Sequence, residues 1–190
     1  MDKDILEALE TLRSGGLILY PTDTVWGIGC DATNPDAIAR IYKLKKRSDS
    51  KAMLILLDSE NLLSRYVDEV PEVAWELIEA SDKPMTIIYP GAKNIANNLI
   101  ADDGSIGIRI SKDDFCQKLI SRFRKPIVST SANISNEPAP SIYNEISDEI
   151  ISGVEEGDKV VTAPFRVLSR TLQTEDLIEI KEDKGEKDAD

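Results

Sequence analysis

Apolar residues recur at helical spacing between Asp4 and Arg13, where Ile5, Leu6, Leu9 and Leu12 would share one face, and Gly15 with Gly16 can end that helix in a left-handed turn. Leu17 to Tyr20 then reads as a buried strand. Asn34 stands before Pro35 as the cap of a second helix that runs to about Lys46. The segment between these two, which contains Gly27, is assigned no element. Short apolar runs predict strands over 53–57, 85–89, 105–110 and 127–130, and amphipathic stretches predict helices over 71–80, 113–124 and 141–151. In the 113–124 helix the inner face is Phe115, Leu119, Ile120 and Phe123. Strands and helices alternate without internal repeats, so the class is α/β, with a mixed sheet covered by helices on at least one face.

A chain of 190 residues fits one domain and can bury roughly 70% of its unfolded surface without disulfides or structural metal. Residues 1–181 are read as that domain, and 182–190, charged and without an apolar anchor, as a disordered tail. The last 50 residues hold 14 acidic and 6 basic side chains, which accounts for most of the net charge of −12 and leaves the body near balance. No apolar run approaches the roughly 20 residues of a membrane span, and the first residues lack the pattern of a secretory signal, so a cytoplasmic location away from membranes is expected. Cys30 and Cys116 lie among apolar neighbours and are expected to be buried free thiols.

The sequence contains no histidine. That excludes Ser-His and Cys-His nucleophile pairs, His-ligated zinc and an imidazole base. Chemistry must therefore rest on carboxylates, lysine, arginine, hydroxyls or a metal brought by the substrate. The overall acidity also argues against wrapping nucleic acid non-specifically, because phosphate contacts supply nearly all of that affinity. A local basic site, with weak RNA binding, is compatible with it.

Lys43, Lys45, Lys46, Arg47 and Lys51 crowd the end of the second helix and the loop beyond it. They suit a helix C-terminus, whose macrodipole favours cations, and equally a phosphate clamp in which Lys45, Arg47 and Lys51 converge on a polyphosphate. Neither of the standard glycine-rich phosphate loops is present. A second polar cluster, Ser129 to Asn133, follows an apolar strand, where it could form an ordinary turn or face a ligand crevice. Arg109 interrupts an apolar strand, so it either lies on the solvent face or points inward to meet an anion. Thr22 and Thr24 bracket Asp23 at a strand end, as turn residues or as the lip of a site.

Taken in order, the run Tyr20 to Cys30, Lys45-x-Arg47 with Lys51, Pro84-Met85-Thr86, Ile106-Gly107-Ile108-Arg109 and Ser129-Thr130-Ser131-Ala132-Asn133 resemble the YrdC-type L-threonylcarbamoyladenylate synthases in their short, single-domain form. The resemblance implies a twisted mixed sheet with flanking helices around a concave, positively lined cavity. It implies a nucleotidyltransferase that joins L-threonine, bicarbonate and ATP into threonylcarbamoyl-AMP, releases pyrophosphate, and feeds a downstream tRNA threonylcarbamoyl transferase machinery. By the same resemblance Lys45, Arg47, Ser131 and Asn133 are the catalytic set. ATP would meet those four together with Lys51 and Ser105, and threonine would meet Thr22, Thr24, Arg109 and Ser129. No metal is held by the protein itself, and Mg²⁺ would arrive with ATP. The alternative is a non-catalytic protein of the same fold that binds RNA or a nucleotide.

Chemistry agrees with this distribution of roles. The carboxylate of threonine needs a fixed cation, which Arg109 could supply bidentately, and its hydroxyl needs a polar partner, which Thr22 or Thr24 could be. The sequence departs from the family pattern at Pro164 to Leu168, where Phe165 and Arg166 stand in place of two hydroxyl residues, and at Leu56, where longer members carry a histidine.

Overall fold

The computed structural model describes residues 2–22, 24–46, 53–140, 146, 150 and 159–160. Helix α1 (Asp2–Arg13) ends as its glycines demand: Gly15 adopts φ 81° and Gly16 donates to the carbonyl of Thr11 at 2.8 Å. The chain then forms a hairpin of β1 (Ile18–Pro21) and β2 (Trp26–Gly29), antiparallel, with Ile18 opposite Gly29 and Pro21 opposite Trp26. Asn34 caps α2 (Pro35–Leu44), its side-chain oxygen accepting from the N–H groups of Asp36 and Ala37 at 3.0 and 3.2 Å.

After the undescribed stretch 47–52 come β3 (Leu54–Leu57), the short helix α3 (Leu63–Tyr66), α4 (Glu72–Ala80), β4 (Thr86–Tyr89) and β5 (Ile106–Ile110). Then follow α5 (Asp114–Phe123), β6 (Ile127–Ser131) and β7 (Lys159–Val160). The seven strands form one mixed sheet in the order β4-β5-β3-β6-β2-β1-β7. Two neighbouring pairs, β3 with β5 and β1 with β7, are parallel, and the others are antiparallel.

Side-chain alternation gives the sheet two unlike faces. On one, Leu19, Ile28, Ile55, Val128, Ile106 and Ile108 pack with Ile38 and Ile41 of α2. On the other, Ile18, Tyr20, Leu56 and Ile127 pack under α1 and α5. These two helices cover only part of their face. Gly27, Ser129 and Ser131, together with Thr86 and Arg109, continue the same alternation beyond the covered part, because Tyr20 pairs with Gly27, Gly27 with Ser131, Leu56 with Arg109 and Arg109 with Thr86.

The inner face of α5 is as the periodicity predicts, with Phe115, Leu119, Ile120 and Phe123 buried, and both cysteines are buried free thiols. Leu6 departs from expectation. It is 56% exposed, while Ala8 joins Ile5, Leu9 and Leu12 in the core. The strand β2 was assigned no element by pattern. It is only four residues long, and half of it is glycine. Gly29 is required by packing: a Cβ there would lie 2.7 Å from the carbonyl oxygen of Val128 and 2.8 Å from the Tyr20 ring. Gly29→Ala is therefore expected to cost about 1–3 kcal/mol through overpacking, read as a lower urea midpoint with an unchanged slope.

No helix among the described residues is long and apolar enough to cross a membrane. The predicted helix over 141–151, the tail 182–190 and the segment around Pro164 with Phe165 and Arg166 lie outside the described residues, apart from Ile146 and Ile150.

Candidate functional site

The uncovered part of the sheet's second face gathers most of the polar residues chosen from the sequence. The turn between β1 and β2 folds over it. A Cβ at Gly27 would stand 3.1 Å from the Thr22 methyl and 3.6 Å from Ser129 Oγ, so Thr22, Gly27 and Ser129 are immediate neighbours. Glycine at 27 is what lets the turn come this close. Beyond it, Thr24 Oγ1 accepts from Arg109 Nη1 at 3.4 Å, which carries the hairpin tip across to β5.

Within the turn, the two threonines do different work. Thr22 Oγ1 donates to the carbonyl of Val25 at 2.7 Å and accepts from the N–H groups of Thr24 and Val25 at 3.2 and 3.3 Å. A hydroxyl has one proton and two lone pairs, so these bonds use its capacity. Thr22 therefore shapes the turn. Thr24 is exposed, and its hydroxyl sits 3.2 Å from Thr22 Oγ1 and next to the guanidinium.

Arg109 is half-buried on β5, on the face opposite Ile106 and Ile108. Its Nε donates to Thr86 Oγ1 at 3.0 Å, and Thr86 is its direct antiparallel partner on β4. Neither sequence option for Arg109 describes this fully. It is on the polar face, yet it is held there by two hydroxyls, in the row of Leu56, whose apolar side chain belongs to the α1 and α5 core.

Lys45 is the last residue of α2's C-terminal turn and is 2% exposed. Its Nζ donates to the carbonyl oxygens of Ser131 and, at 2.6 Å, Asn133, with Asn133 Oδ1 at 3.3 Å. The backbone adds a further tie, Ser135 N to Lys45 O at 3.0 Å. Asn133 is also buried, and its Nδ2 donates to the carbonyls of Ile134 and Glu137 at 3.1 and 2.6 Å. Lys45 and Asn133 thus face each other and pin the end of β6 to the end of α2. Ser131, between them in sequence contact, is half-buried on the polar face.

Ser105 precedes β5. Its row is that of Ser131, since Leu54 pairs with both Gly107 and Ser129. Its N–H donates to Asp103 Oδ1 at 2.9 Å, and the Ser105 hydroxyl first, then this backbone bond, hold the exposed Asp103 carboxyl below the usual carboxylate range. Arg47 and Lys51 lie outside the described residues; the described chain breaks off at Lys46, beside Lys45, and resumes at Met53, one residue before β3.

A cavity of about 490 Å³ opens on the opposite face of the sheet, between Trp75 and Ile78 of α4 and Ile87, Ile108 and Ile110 of the strands. Met85 and Ile108 of the quoted motifs line it, but none of the residues expected to touch ATP or threonine does. Among the described residues, no group of three or more carboxylates and thiols is placed to hold a metal ion.

Sequence reasoning quoted Thr86 within a motif but gave it no role. Its signal was its place on the strand next to Arg109, which needs the pairing register to read. Gly27 was likewise visible only as a glycine.

An arginine set between hydroxyls shares the open face of an α/β sheet with the serine-rich end of β6, an arrangement suited to a small anionic ligand. The chain belongs to the Sua5/YciO/YrdC family, described as telomere recombination, whose pattern matches residues 10–161. It is 34% identical over 158 residues to the threonylcarbamoyl-AMP synthase of Vibrio parahaemolyticus, covering 82% of each chain. Among solved structures it is similar to Sua5 of P. abyssi in complex with L-threonine, with a TM-score of 0.76 and 27% identity, over 82% of this chain and 46% of that one. It is also similar to E. coli YciO, with a TM-score of 0.73 and 27% identity, over 84% of this chain and 77% of that one.

Proposed function

We propose that this chain is a nucleotidyltransferase that makes threonylcarbamoyl-AMP from L-threonine, bicarbonate and ATP. The observation that carries this reading is Arg109 held between Thr24 and Thr86 on the open face of the sheet, in a chain of the family just described. An α-carboxylate seated on that guanidinium would place the amino acid's side chain and amine beside the hairpin tip, within reach of the Thr24 hydroxyl. Ser129, buried next to Thr22, would form the floor of the same site.

The chemistry needs no histidine. Bicarbonate supplies carbon dioxide by loss of water, the neutral amino group of threonine adds to it and gives up a proton to solvent, and an oxygen of the resulting carbamate attacks the α-phosphorus of ATP. An oxygen–phosphorus bond forms, the bond to the β-phosphate bridging oxygen breaks, and pyrophosphate leaves with the electron pair. Such a displacement depends on positioning and on neutralising phosphate charge. Ser131 would supply a hydroxyl, and Arg47 and Lys51 the cations. Lys45 and Asn133 act one layer behind, keeping Ser131 where the nucleotide needs it. Mg²⁺ would enter on the triphosphate and take most of its ligands from phosphate oxygens and water. The product would serve a tRNA-modifying transferase in the cytoplasm.

The assay is direct. Protein incubated with ATP, bicarbonate and L-threonine is expected to release pyrophosphate and to form a threonine-dependent AMP adduct detectable by mass spectrometry. Neither product forming, with nucleotide still bound, would leave a binding protein in place of a synthase.

A further inference from the structure

We infer that Thr86 is a positioning residue for the substrate-binding arginine, fixing which edge of the guanidinium is offered to the carboxylate; this rests on the synthase reading above. Arg109 and Thr86 are direct partners in an antiparallel pair, β5 and β4, so their Cβ atoms project on the same side of the sheet at roughly 4.5–5.5 Å. The bond from Nε to Thr86 Oγ1 at 3.0 Å takes the side of the guanidinium nearest its own stem. The plane of the group is then fixed by two points, Thr86 at Nε and Thr24 at Nη1. A carboxylate that binds Arg109 bidentately must therefore use the two Nη atoms, end-on, toward the hairpin tip.

Local packing holds Thr86 in place for this role. Its methyl group would lie 3.3 Å from a Cβ at Gly107, so it rests against bare backbone, and the threonine rotamer that presents Oγ1 to Arg109 is supported from behind. Valine has the same shape and keeps that contact but accepts no hydrogen bond. Serine keeps the acceptor and loses the methyl. The pair of substitutions therefore separates the hydrogen bond from the packing.

Without the Thr86 acceptor, the guanidinium can rotate about its last stem torsions, and each threonine that binds must order it again. The loss falls on threonine and not on ATP. For Thr86→Val, KM for L-threonine is expected to rise about tenfold, the size of one hydrogen bond to a charged group at the low end, while KM for ATP and the thermal midpoint stay close to wild type. Thr86→Ser is expected to recover most of the threonine affinity. A second readout is independent of activity: in ¹⁵N spectra the Nε–H of Arg109, assigned by its loss in Arg109→Lys, should be protected from exchange in wild type and in Thr86→Ser, and exchange faster in Thr86→Val. Equal threonine KM and equal Nε–H protection in wild type and Thr86→Val, in a wild-type protein that does make the adduct, would overturn the role of Thr86 and leave the synthase reading standing. A wild-type protein that makes no adduct while Thr86→Val still loses Nε–H protection would overturn the synthase reading and keep the bond.

Discussion

Arg109→Ala is expected to raise the threonine requirement about 30- to 150-fold while changing the ATP requirement by less than about threefold. The estimate follows from what is removed. A charge-assisted bidentate pair that is partly shielded from water costs about 2–3 kcal/mol when one partner is truncated, and every 1.4 kcal/mol is a factor of ten. Arg109 is half-buried and already oriented by Thr86 and Thr24, so little of its binding energy goes to ordering the side chain. Arg109→Lys should recover little, because an ammonium offers no planar fork and its shorter stem cannot also reach Thr86. Lys51→Ala is expected to show the reverse pattern, weakening ATP and sparing threonine. Initial rates of pyrophosphate release, with each substrate varied at saturating levels of the other, decide the matter. Equal effects of both substitutions on both substrates would contradict the division of the site into a threonine side and a nucleotide side.

Much of the fold is legible in the hydrophobic pattern, for a physical reason. All nine strands and helices expected within 4–130 appear within a residue or two of their predicted bounds because each carries a strong period or an unbroken apolar run. The failures occur where that signal is absent. Trp26 to Gly29 becomes a strand through pairing with β1 on one side and β6 on the other, and its glycines, which look like loop residues in sequence, are there because neighbouring backbone and side chains come too close for a Cβ. Leu6 fails for a different reason: it lies at the edge of the helical stripe, and the small Ala8 better fills the space under α5. Pattern identifies a stripe, but its width is set by what packs against it.

The site was legible by residue type and less so by direction. Arg109, Thr24 and Ser129 lie on one face of the sheet. Within each motif, however, spacing says nothing about which polar atoms are used by the protein itself. Thr22 and Thr24 are two apart in one turn, and the hydroxyl of Thr22 is taken by the turn's own backbone. Lys45 and Asn133 are far apart in sequence, and the ammonium of Lys45 that the resemblance offers to a ligand is bonded to Asn133. Only the strand register reveals that the Pro84-Met85-Thr86 motif sets Thr86 beside Arg109.

That arrangement makes Lys45 the residue whose loss should damage both fold and activity. Replacing it by methionine, of similar length, removes the ammonium and leaves the carbonyl oxygens of Ser131 and Asn133 facing an apolar side chain in a region where Lys45 itself is 2% exposed. An unsatisfied buried acceptor costs about 1–3 kcal/mol, and part of that is offset because methionine carries no desolvation cost of its own. The Ser131 carbonyl still accepts from Asn133 N–H at 2.9 Å, so the net expectation for Lys45→Met is a destabilisation of about 1–3 kcal/mol, a drop in Tm of about 2–12 °C for a domain of this size. Activity should fall even at temperatures where the variant is folded, because the end of β6, and Ser131 with it, is no longer tied to α2. A double-mutant cycle with Asn133→Ala separates this from a general loss of packing. Two residues that hold each other should couple by at least about 1 kcal/mol. An unchanged midpoint in Lys45→Met with activity lost would instead put Lys45 in direct contact with the nucleotide, the role its place in the Lys-x-Arg motif first suggests.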